Sequence, residues 1–172
     1  RIRDGGMAPT DDTRLLAHRL ARLPLPPTPL VGREKELVQL GHLLANPTCR
    51  LITLHGPGGI GKTRLALAAA ARYLEGFADG VAYVPLESIP SVEFLAQAIM
   101  DALSVPLQGQ HPPQDQLVDY LRGRELLLVL DNFEHLAADA GVLAGLLQAA
   151  PGLTLLVTSQ TRLALHAEWL FP

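Results

Sequence analysis

Cysteine is nearly absent from this 172-residue chain. Cys49 stands alone, so no internal disulfide can form and no Cys/His cluster has metal spacing. That usage fits a reducing, cytoplasmic setting. Lysine is almost as scarce: Lys35 and Lys62 are the only two among 14 basic residues, the rest being arginine. Positive charge in excess is missing too, since 17 acidic residues leave a formal charge of −3. Without a basic field, direct nucleic-acid binding by this segment is not expected. Aromatic residues make up 5% of the chain against 48% apolar residues in all, so the core must be built from aliphatic side chains, in quantity enough for one two-sided domain. An unbroken membrane-length run is also lacking. Residues 140–158 are the most apolar window, but Pro151-Gly152 divides it into a helix with its stop and a following strand, so no membrane span is expected. The N-terminus has no apolar signal-peptide core, and residues 1–6 read as a tag remnant ahead of Met7.

What is present centres on residues 56–63, Gly-Pro-Gly-Gly-Ile-Gly-Lys-Thr, between the apolar run at 51–54 and the alanine-rich stretch at 65–71. Glycines at 56, 58, 59 and 61 let successive backbone N–H groups turn inward around the oxygens of a polyphosphate. Lys62 adds a point charge, Thr63 offers a hydroxyl to a Mg²⁺ ion, and a helix opening here directs its positive dipole end at the anion. In so lysine-poor a chain, a lysine at this position is not background. The other reading is a Gly-rich turn that merely ends a strand.

Leucines at 15, 16, 20 and 23 give an amphipathic helix over 11–23, and prolines at 24, 26, 27 and 29 then enforce an extended linker. The expected division is therefore 1–10 tag remnant and tail, 11–29 helix and linker, 30–172 nucleotide-binding domain. Within the last, a helix carries Leu37, Leu40, Leu43 and Leu44 up to Asn46-Pro47. Strands follow at 51–54, 81–84, 126–130 and 153–157, with the start of a fifth at 169–171. Helices fill the intervals: from the loop to about 75, 92–103 with Phe94, Leu95, Ala98, Ile99 and Ala102 at core spacing, 115–121, and 136–149. Strands alternating with helices imply an α/β fold, a parallel sheet covered on both faces with its ligand beyond the carboxyl ends of the strands.

That rule singles out Asp131, which ends the five-residue apolar strand 126–130. Phosphate-loop proteins keep there the carboxylate that helps to hold Mg²⁺. Alternatively it caps the following turn. Asn132 and Glu134 come next, and either could orient a water toward a γ-phosphate or simply open a solvated helix. Thr158, Ser159 and Gln160 end the next buried strand and could bring polar groups to the same phosphate. The six histidines are scattered and carry no assigned role.

Taken in order, Val31-Gly32-Arg33-Glu34, residues 56–63 followed by Arg64-Leu65-Ala66, LLLVLDNFEHL at 126–136, LLVTS at 155–159 and Glu168-Trp169 resemble the STAND class of signalling ATPases. The likeness is greatest to the ATPase modules of LuxR- and SARP-type bacterial transcription regulators, relatives of NB-ARC modules. The resemblance covers the chain from about Leu30 onward. It implies a P-loop NTPase of three-layer α/β/α build with strand order 5-1-4-3-2, ending before the family's helical and winged-helix lid. It also implies an ATP/ADP-operated switch with Mg²⁺, an ATPase module inside a longer chain that carries effector and sensor domains and can form an ATP-dependent oligomer. Carried over residue by residue, Val31, Gly32 and Arg33 would contact adenine and ribose. Gly56, Gly58, Gly59, Ile60, Gly61, Lys62, Thr63 and Arg64 would surround the phosphates. Thr63 and Asp131 would hold the metal, and Lys62, Asp131 and Glu134 would serve any hydrolysis. One departure stands out: where the family has an arginine after Thr-Ser, able to sense the γ-phosphate, this chain has Gln160, with Arg162 two residues on. An amide stabilises transition-state charge less than a guanidinium, so hydrolysis is expected to be slow or absent and ADP to bind at least as well as ATP. Two other readings are open: a non-catalytic module that holds nucleotide for stability, and a P-loop phosphotransferase.

Overall fold

The computed structural model describes residues 23, 24, 26 and 28–172. The helix expected over 11–23 therefore lies outside the described residues apart from Leu23, which is buried. Five strands, β1 (Leu51–His55), β2 (Val81–Pro85), β3 (Leu126–Asp131), β4 (Leu153–Ser159) and β5 (Glu168–Phe171), form one sheet in the order β2-β3-β4-β1-β5. Every neighbouring pair is parallel. This is the order 5-1-4-3-2 that the resemblance implies. The helix α1 (Glu34–Ala45) precedes β1, and between the strands run α2 (Lys62–Arg72), α3 (Leu95–Ala102), α4 (Pro113–Leu121) and α5 (Gly141–Ala149).

Alternation along each strand divides the apolar residues between two cores. Leu126, Leu128 and Leu130 of β3, with Leu155 and Val157 of β4, pack under Leu95 and Ile99 of α3, Leu117 of α4 and Leu143 and Leu146 of α5. Leu127 and Val129, with Leu156 and with Ile52 and Leu54 of β1, meet Leu40 of α1 and Leu65, Ala66 and Ala69 of α2. All six residues of β3 are buried, which is why it reads in sequence as an unbroken apolar run. Cys49 is buried in the α1/α2 core, and burial raises its thiol to a pKa of about 11, so it stays protonated at neutral pH.

Several helices are shorter than their periodicity implies. The stretch expected as one helix over 136–149 is a 3₁₀ segment, Glu134–Asp139, followed by α5. The stretch over 92–103 likewise opens with a 3₁₀ turn, Val92–Phe94, before α3. Phe94 is consequently 50% exposed, against its expected core position, because the tighter 3₁₀ turn breaks the 3.6-residue phase. The apolar window at 140–158 divides at Pro151-Gly152 into α5 and β4, and among the described residues no helix is long and apolar enough to cross a membrane.

Candidate phosphate and metal site

The chain leaves β1 at His55, turns through residues 56–61 and enters α2 at Lys62. Gly59 and Gly61 have φ of +79° and +86°, a region that side chains with a Cβ avoid. A Cβ on Gly56 would meet Cδ1 of Ile60, so a side chain there would force the Ile60 tip to move. The first helical bond of α2 runs from the Leu65 N–H to the Gly61 carbonyl at 3.0 Å. The N–H groups of residues 62–64 precede it and have no intrahelical acceptor, which leaves them to a ligand. Lys62 Nζ donates to the carbonyls of Gly56 and Pro57, at 2.7 Å each. The ammonium thus sits across the mouth of the loop, where phosphate oxygens could take over from the two carbonyls.

Asp131 is 3% exposed at the end of β3. Period-two alternation turns its side chain toward α2, the face on which Val129 already lies. Its Oδ1 accepts hydrogen bonds from the Thr63 hydroxyl at 2.7 Å and the Thr158 hydroxyl at 2.5 Å. Oδ2 accepts one from the Tyr83 hydroxyl at 2.8 Å. Thr158 Oγ1 also accepts the Asn132 N–H at 2.9 Å, fixing the left-handed turn at Asn132, whose φ is +61°. Among the described residues no arginine or lysine pairs with Asp131. A buried carboxylate held by three hydroxyls still calls for a cation. One carboxylate and one hydroxyl are hard oxygen donors suited to Mg²⁺, which takes its remaining ligands from phosphates and water. Loop and carboxylate together therefore fit a Mg²⁺-polyphosphate.

Glu134 opens the 3₁₀ segment after β3, and its Oε2 is buried without a hydrogen-bond partner. Gln160 follows β4 beside the loop: a Cβ on Gly58 would stand 3.3 Å from its Nε2. Arg162 is exposed. Arg33 donates to the Ile60 carbonyl at 2.6 Å, and Arg64 donates to the Thr28 hydroxyl at 2.9 Å and carbonyl at 3.2 Å. These two guanidinium groups bind the segment entering α1 to the phosphate loop. Within that segment Gly32 has φ of +77° and Val31 is 84% exposed, an apolar side chain presented to solvent.

Sequence reasoning overlooked Tyr83. Its partner strand and register, not any local pattern, bring it to Asp131. Burial raises its hydroxyl pKa first, and the hydrogen bond to Asp131 and that carboxylate's charge raise it further, so it remains a donor throughout the neutral range.

A family model described as AAA ATPase domain matches residues 29–158. The chain is 36% identical over 148 residues to an uncharacterized protein of Mycobacterium tuberculosis, covering 84% of this chain and 37% of that protein. It is 38% identical over 126 residues to another M. tuberculosis protein, provisionally named an HTH-type transcriptional regulator, covering 72% of this chain and 14% of that one. The chain thus spans only about a third, or less, of these relatives. Among solved structures it resembles Cdc6p from Pyrobaculum aerophilum, with a TM-score of 0.59 and 24% identity, covering 80% of this chain and 41% of that one. That likeness concerns the fold.

Proposed function

This chain belongs to the AAA ATPase domain family, and from that premise we propose that it is the ATP/ADP-binding switch module of a multidomain transcription or signalling regulator, of the STAND class. The observation that carries the reading is the hydrogen bond between Thr63 and Asp131. Two residues 68 positions apart, one ending the phosphate loop and one ending a buried strand, meet at 2.7 Å. They meet beyond the carboxyl ends of the strands, where α/β sheets bind their ligands.

In this reading the loop N–H groups and Lys62 bind the phosphates, while Thr63 and Asp131 hold Mg²⁺. The metal, when bound, would neutralise charge on the outer phosphates. Glu134, with its unpartnered oxygen, orients a water. Val31, Gly32 and Arg33 contact the nucleoside in this reading, which the bond from Arg33 to the Ile60 carbonyl supports by holding their segment to the loop. The relatives' greater length and the regulator name of one of them support a module that works inside a longer, cytoplasmic chain with effector and sensor domains.

A second reading, nucleotide binding with little hydrolysis, is favoured by Gln160. The side chain beside Gly58 is an uncharged amide, so charge developing on a transferred phosphoryl group gains little from that side. Calorimetric titration with ATP and ADP, each with and without Mg²⁺, tests the proposal. Micromolar or tighter binding of both nucleotides, strengthened by Mg²⁺, is expected at roughly 8 kcal/mol. Absence of heat and of competition by either nucleotide would overturn it.

A further inference from the structure

The geometry points to Tyr83 as a positioning residue of the Mg²⁺-nucleotide site, an inference that rests on the function proposed above and adds to it a residue outside the phosphate loop and the β3 carboxylate. Tyr83 lies on β2, an edge strand of the sheet. It pairs with Val129, while Asp131 pairs with Pro85. Tyr83 and Asp131 are therefore diagonal neighbours, two rungs offset. The same alternation that turns Asp131 toward α2 turns Tyr83 that way too. A diagonal gap of this kind is too long for most side chains but within reach of an aromatic one.

The two carboxylate oxygens have different partners. Oδ1 is shared by the hydroxyls of Thr63 and Thr158, whereas Tyr83 alone among the described residues donates to Oδ2. The terminal torsion of an aspartate is broad and nearly two-fold, so hydrogen bonds to one oxygen leave the carboxylate plane free to turn. The phenol on the other oxygen fixes that plane. It also fixes the direction in which Thr63 must give its proton, and hence the direction in which the Thr63 oxygen lone pairs face. Tyr83 in this way orients both protein ligands proposed for the metal without touching the metal or the nucleotide. The ring itself packs against the α1/α2 core, where phenylalanine would fill the same space. The hydroxyl is what bears on the site.

The test is a calorimetric double-mutant cycle on the whole chain with ADP, in Mg²⁺ and in EDTA, for the unsubstituted protein, Tyr83→Phe, Asp131→Asn and the pair, with melting temperatures alongside. In Tyr83→Phe the gain in affinity that Mg²⁺ confers should fall about ten- to a hundredfold, as for a lost partner that orients a metal ligand. Metal-free affinity should stay within about twofold, since the loop is untouched. Combined with Asp131→Asn, the Tyr83 substitution should cause no further loss. An unchanged Mg²⁺ gain, equal losses with and without metal, or additive losses in the pair would overturn the assignment while leaving the proposed function standing. Failure of the unsubstituted chain to bind ADP would overturn both.

Discussion

At the scale of single residues, the site contrasts a charged half with an uncharged one. Lys62 and Thr63 open the helix after the loop, with Asp131 hydrogen-bonded to Thr63, while Gln160 faces Gly58 with an amide. Gln160→Arg should raise affinity for ATP relative to ADP by about two- to fivefold, the worth of one solvent-exposed charge contact. Competition titration of the two nucleotides measures the ratio, and no change would show that position 160 does not face the γ-phosphate. The phosphate loop was legible in the sequence because its chemistry is local: glycine, lysine and threonine at fixed spacing state their roles without reference to the rest of the chain. Asp131 was legible because a carboxylate ending a fully apolar strand is anomalous. Tyr83 was not, because its approach to Asp131 depends on which strand lies beside β3 and in what register, and neither β2 nor β3 encodes that alone.

At the scale of elements, strands were read more faithfully than helices. Strands buried on both faces appear as short aliphatic runs between turn residues, and β3 and β4 do so plainly. Helical periodicity does not distinguish an α-turn from a 3₁₀ turn, so Phe94 and the segment Glu134–Asp139 departed from expectation. Pro151-Gly152 marks in sequence where α5 stops, but not which side chain satisfies its last carbonyls. Arg50, just before β1, donates to the carbonyls of Leu147 at 2.8 Å and Ala150, and to that of Leu153 at 3.0 Å. One cation thereby satisfies the C-terminus of α5 and the start of β4, where the helix dipole favours positive charge. Burial lowers the Arg50 pKa, yet a guanidinium so placed remains charged. Arg50→Ala should destabilise the fold by about 2–4 kcal/mol, since it removes the guanidinium from three carbonyls, of which Ala150 keeps the Leu153 N–H. A denaturant midpoint shifted down with unaltered nucleotide affinity in the folded protein is the expected result. An unchanged midpoint would mean that water replaces the guanidinium without cost.

At the scale of the whole molecule, the five-stranded order β2-β3-β4-β1-β5 sets β1 beside β4 and β4 beside β3, so the three strand ends bearing the phosphate loop, Thr158 and Asp131 are consecutive. That adjacency lets a loop and a carboxylate remote in sequence form one site, and it is the part of the fold that the resemblance, not the residue pattern, anticipated. The sheet is covered by α1 and α2 on one face and by α3, α4 and α5 on the other. The site at its rim can therefore be perturbed with little effect on either core. Lys62 offers the cleanest separation, since among the described residues its ammonium donates to loop carbonyls alone. Equilibrium binding of ADP to Lys62→Ala, measured beside the unsubstituted chain with the nucleotide-free melting temperature of each, tests the phosphate-loop assignment most directly. Removing the charge partner of a desolvated phosphate should cost roughly 2–5 kcal/mol, about thirtyfold to several thousandfold in affinity, with the melting temperature unchanged. Equal ADP affinity in the two proteins would contradict it.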